Sequence, residues 1–105
     1  MGKLSENISV NKEKLLEIMT DNLPALRAKI GLSQDEVSNI IGISRQTYCA
    51  IETHKRKMAW NTYMSLLFLF WYNDKTKVLV NAIGVFPEEL QAALHRCNQG
   101  ETVSE

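Results

Sequence analysis

The chain has 105 residues, 45% of them apolar, with only five glycines and two prolines, which is enough for one buried core and too little for a separate second domain. Twelve basic side chains balance twelve acidic ones, so the chain lacks the overall basic excess that would by itself mark a nucleic-acid binder. Its two cysteines, Cys49 and Cys97, form no CxxC or Cys/His spacing, which argues against a zinc site and a disulfide scaffold, and both are expected to be small packed thiols.

The N-terminal stretch MGKLSENISVNKEK has no apolar run of signal-peptide type, which predicts a cytoplasmic protein without a membrane anchor. No strand pattern appears, and the chain is expected to be all-α. Asn11 to Met19 predicts a short amphipathic helix carrying Leu15, Leu16, Ile18 and Met19. A second helix is expected over Leu23 to Ile30, with Pro24 in its first turn, where a missing N–H costs little. Residues 1–22 are thus set apart as an N-terminal arm with a short helix.

Ser33 and Glu36 form the S-x-x-E capping box and predict a helix from Gln34, with Val37, Ile40 and Ile41 as its apolar face. Gly42 stands at the position where a left-handed backbone ends a helix. Ile43 bridges the turn, and Ser44 is the next N-cap candidate, opening a reading helix over about 44–53 with Tyr48 and Ile51 inward. Arg45, Gln46, Cys49 and Ala50 then face outward. Such a helix-turn-helix presents donors and acceptors at the start of its second helix, where a major groove would meet them.

The segment LRAKIGLSQDEVSNIIGISRQTYCAIE resembles the phage-repressor helix-turn-helix of the Cro and XRE type. The likeness rests on Leu26-Arg27, the Gly31-Leu32-Ser33-Gln34 entry, Ser38, the turn Gly42-Ile43-Ser44 and Glu52, and with the following helix it covers residues 23–72, about half the chain. His54 stands where many relatives have glycine, and Met58 where they have proline. The resemblance implies a compact helical bundle of the lambda-repressor-like DNA-binding type, about five core helices with N- and C-terminal helical additions. It also implies an ion pair between Arg27 and Glu52 beneath the motif.

Basic residues gather at this motif: residues 23–60 hold six basic side chains against three acidic, and Lys55-Arg56-Lys57 follow the reading helix directly. On this reading Arg45 and Gln46 approach base edges, with Thr47, Cys49 and Ala50 adding contacts. Gln34, Ser44, Lys55, Arg56 and Lys57 face phosphate, with Gln34 also bracing the reading helix. Tyr48 is expected in the core with its hydroxyl near the surface.

Ala59 to Tyr72, AWNTYMSLLFLFWY, is apolar all round, which demands cover on every side, yet it is too short to span a bilayer. The C-terminal segment, residues 73–98, predicts two helices split near Gly84 to Pro87: one capped by Asp74 with Val78, Leu79 and Ile83 inward, the other opened by Pro87-Glu88-Glu89. Phe68, Trp71, Val85, Phe86, Leu90 and Leu94 are the expected dimer or partner surface, and residues 99–105 a flexible tail.

The pattern predicts a non-enzymatic, sequence-specific regulator of transcription, most simply a homodimeric repressor that binds double-stranded DNA and reads a palindromic operator. No cofactor, metal or small-molecule ligand is suggested. His54 and His95 belong to no catalytic or metal-ligand spacing. The alternative is an antitoxin or adaptor whose main partner is another protein.

Overall fold

The computed structural model describes residues 11–103, with side chains through Arg96, and all its regular structure is helical. The helices are α1 (Lys12–Ile30), α2 (Gln34–Ile41), α3 (Arg45–Glu52), α4 (Trp60–Tyr72), α5 (Asp74–Ile83) and α6 (Glu88–Val103). Calls on residues 1–10 and on the Cys97 thiol lie outside the described residues.

The N-terminal half departs from the expected pair of helices. Asn11 caps α1 through Oδ1, and the helix then runs unbroken through Pro24, across the boundary expected at residues 22 and 23. Proline in a helix interior costs roughly 3 kcal/mol. Leu15, Met19, Leu23 and Leu26, spaced four, four and three residues apart, are all buried along one stripe of α1. Each buried leucine or methionine contributes about 1.5–3 kcal/mol, so a continuous helix that buries all four outweighs the proline. The helix closes at Gly31 with φ 69°, where the Gly31 and Leu32 amides donate to the Ala28 and Arg27 carbonyls.

α1 packs against α3, α4 and α5; α2 against α3 and α4; and α4 against α5. The core joins the α1 stripe to Val37, Tyr48, Ile51, Met58, Tyr63, Leu66, Leu67, Phe70, Val80, Val85 and Leu90. Two buried hydroxyls tie the C-terminal helices to α4: Tyr63 donates to the Val85 carbonyl, and Thr76 donates to the Phe70 carbonyl at 2.6 Å. No described helix is long and apolar enough to cross a membrane.

Several C-terminal expectations shift by a turn or less. Asn73, not Asp74, caps α5, its Oδ1 accepting from the Lys75 amide. Thr76 and Val80 face inward, Leu79 and Ile83 are half-buried, and Val78 is exposed, because the Thr76 bond to α4 sets the rotation of α5. Val85 and Leu90 are buried in the core, which removes them from the expected partner surface. α6 continues to Val103, past the tail expected from residue 99. Gly100 is the one strong helix breaker there, and it costs only about 1 kcal/mol.

Candidate nucleic-acid interface

The α2–turn–α3 unit is built by local signals that close one after another. The Ser33 amide donates to Glu36 Oε1 at 2.8 Å and the Glu36 amide to Ser33 Oγ at 3.1 Å, completing the capping box. Gly42 ends α2 at φ 85°, and the Gly42 and Ile43 amides both donate to the Ser38 carbonyl. Ser44 then caps α3, accepting from the Thr47 amide at 3.0 Å and donating to Thr47 Oγ1 at 2.9 Å. Its hydroxyl is therefore engaged within the helix start.

The rotation of α2 differs from the expected one. Val37 and Ser38 are buried, Ile41 is half-buried and Ile40 is largely exposed. Ser38 is small enough to be buried in the core with its hydroxyl donating to the Asp35 carbonyl at 2.8 Å, so serine rather than Ile40 takes the inward position.

Beneath the motif lies a hydrogen-bonded hub on Glu52. Arg27 donates to its carboxylate through Nε at 2.8 Å and Nη2 at 3.0 Å, a two-pronged ion pair. Gln34 Nε2 adds a third bond at 2.6 Å and the Tyr48 hydroxyl a fourth at 2.8 Å. The remaining Arg27 Nη1 donates to the Leu32 carbonyl at 2.9 Å. One carboxylate thus binds α1, α2 and α3 together.

Burial pushes the Glu52 carboxyl pKa up, but the bonds from Arg27, Gln34 and Tyr48 outweigh it and hold the group below the usual carboxylate range. The bond to Glu52 raises the Arg27 pKa further. Burial, with donation to Glu52, raises the Tyr48 phenol. Tyr48 is fully buried, and its hydroxyl turns inward to Glu52 instead of lying near the surface.

The site residues fall into two groups. Arg45 and Gln46 are exposed at the first turn of α3, and Lys55, Arg56 and Lys57 are exposed just beyond its end. Thr47, Cys49 and Ala50 are half-buried. Cys49 donates to Gln34 Oε1 at 3.0 Å, so the thiol faces α2, and the Gln34 side chain spends its oxygen on Cys49 and a donor on Glu52. Gln34 is the brace the sequence suggested, and its side chain is committed to the protein rather than turned to solvent.

The basic run is held to α3 by the backbone. The His54 amide donates to the Ile51 carbonyl, and the Lys55 amide to Ala50 at 2.8 Å, the paired bonds of a Schellman ending. His54 occupies the left-handed position at φ 66°, where glycine is the unstrained choice. Its Nε2 lies 3.3 Å from Asp21 Oδ1 on α1. The Arg56 amide also donates to Ala50, at 3.1 Å, so the turn that carries the three cations starts from a fixed point on α3.

No family model, curated protein or solved structure matches the chain.

Proposed function

We propose that the protein is a sequence-specific DNA-binding regulator of transcription of the phage-repressor type, acting without catalysis and as a dimer. The observation that carries this reading is the geometry of α3. It is a short helix capped by Ser44, locked from behind by Glu52, exposing Arg45 and Gln46 at its start and followed by a tethered run of three cations. Arg matches the two acceptors of guanine and Gln the donor–acceptor pair of adenine, which gives base-edge readers at the end of the helix that enters a groove first. Lys55, Arg56 and Lys57 supply attraction to phosphate without sequence preference.

Selection of binding sites from a random duplex DNA pool at moderate salt tests the reading. A palindromic consensus with half-sites about ten base pairs apart is expected, the spacing of two reading helices on one face of the duplex. Absence of enrichment with folded protein would refute it and shift the weight to an antitoxin- or adaptor-like role.

A further inference from the structure

A groove between α1 and the turn after α3 sets opposite charges face to face. Its volume is about 450 Å³, with Leu16 and Met58 in its apolar lining. Glu13 and Glu17 border it from α1, and His54, Arg56 and Lys57 from the turn. All five of these side chains are exposed. Asp21 extends the acidic side: Glu13, Glu17 and Asp21 step by four residues, which puts three carboxylates on one face of α1, roughly 6 Å apart along its axis. The His54 ring meets the last of them at 3.3 Å. Among the described residues Glu13, Glu17, Arg56 and Lys57 form no ion pair, so these four act on one another across the groove rather than by contact.

We propose that the Glu13–Glu17–Asp21 stripe is an internal competitor for the cations that follow α3, a row of single negative charges that stands in for a phosphate backbone and lowers affinity for polyanions of any sequence. Carboxylates one turn apart repel each other, and the cations of the turn relieve that repulsion. The attraction is screened beyond about 8–10 Å at physiological ionic strength, so Arg56 and Lys57 are drawn toward α1 yet stay free to leave it. A polyanion that takes these cations works against the pull of the stripe and brings its own charge up to Glu13 and Glu17. Arg45 and Gln46 stand at the other end of α3, so the stripe sets how tightly every DNA sequence is held, not which one is preferred. Part of the acidic charge that balances the basic motif is thus placed where it acts on the motif.

The inference rests on the phosphate-facing role of the turn, and heparin, a polyanion without bases, tests it apart from the DNA reading. Salt elution of the full chain from heparin is compared for wild type, Glu13→Gln with Glu17→Gln, and Glu88→Gln with Glu89→Gln. The last pair removes the same two charges from a different groove, at Trp71 and Phe86. The α1 pair should elute at clearly higher salt and the α6 pair close to wild type. With random duplex DNA the α1 pair should lower Kd about three- to tenfold at about 50 mM salt, a gain that fades by about 0.5 M. With Arg56→Ala and Lys57→Ala already in place, the α1 pair should change elution little, because the charges it acts on are gone. No retention of any variant, no shift, equal shifts by the α1 and α6 pairs, or an undiminished shift without Arg56 and Lys57 would overturn the proposal. A chain that selects no operator but shows the heparin shift keeps the competing stripe and loses the DNA reading; the reverse keeps the reading and loses the stripe.

Discussion

Replacing Glu52 by Gln keeps the shape of the side chain and removes its charge, which isolates what the hub contributes. The wild-type carboxylate accepts four hydrogen bonds, whereas the amide offers one acceptor oxygen and turns an NH₂ group toward donors. Arg27 would lose its counter-charge. The pair is neither surface nor fully interior: the Arg27 side chain is 19% exposed and that of Glu52 6%. Breaking a buried pair costs about 3–5 kcal/mol and an exposed one about 0–1, so about 2–3 kcal/mol is expected here. For a domain of this size that lowers Tm by about 10–20 °C, measurable by far-UV circular dichroism. The pH dependence gives the sharper test. Because the folded carboxyl is held below its ordinary value, its stabilisation is present above the unfolded pKa and lost as pH falls through the folded one. The gap between wild type and Glu52→Gln should therefore close on acidification. A gap under about 1 kcal/mol at neutral pH, or one that ignores pH, refutes the hub as the source of stability.

Arg45→Ala and Gln46→Ala should each cost about 1–3 kcal/mol at one base pair and relax preference there, read by binding to single-base operator variants. Lys55→Ala with Lys57→Ala should weaken every DNA sequence alike and reduce the slope of log K against log salt by about 3–4 in a dimer; equal effects of the two sets would sink the division of roles. His54→Gly should raise stability by about 0.5–1 kcal/mol, because the left-handed backbone at φ 66° strains any side chain with a β-carbon; urea denaturation reads the sign. Tyr48 and Tyr63 are both raised above the ordinary 10.0 by burial, so their contribution holds below that pH and is lost as pH rises beyond it. Alkaline unfolding should accompany phenolate absorbance, and Tyr48→Phe with Tyr63→Phe should weaken that link.

What was legible in the sequence is what is decided within a turn of helix. The capping box at Ser33, Gly42 and the Ser44 cap act between neighbours, and the structure places α2 and α3 within a residue of their expected limits. Rotation was harder, because it is decided across helices. In VSNII the isoleucines look like the natural inward residues, yet Ser38 is buried with its hydroxyl bonded to the Asp35 carbonyl while Ile40 is exposed. In DKTKVLVNAI the adjacent Val78, Leu79 and Val80 compete, and the Thr76 bond to Phe70 chooses Val80 over Val78. Pro24 signalled a helix start locally and was overruled by the long stripe from Leu15 to Leu26. Ile40, read as inward, is largely exposed, and so is Tyr72, whose place in the four–three–four spacing from Asn61 was already in the sequence.

The hub bears on the proposed DNA reading through affinity. With Cys49 turned to Gln34 and Ala50 half-buried, the exposed candidates for base contact on α3 reduce to Arg45 and Gln46. Two good bidentate contacts supply about 2–6 kcal/mol of discrimination, whereas operator recognition needs about 4–10 kcal/mol over random DNA. One copy, at about 2–6 kcal/mol, overlaps only the lower part of that range, and two copies, at about 4–12 kcal/mol, cover it. On the proposed reading that doubling needs each α3 to meet its half-site in the same register, and the four bonds on Glu52 tie α3 to α1 and α2.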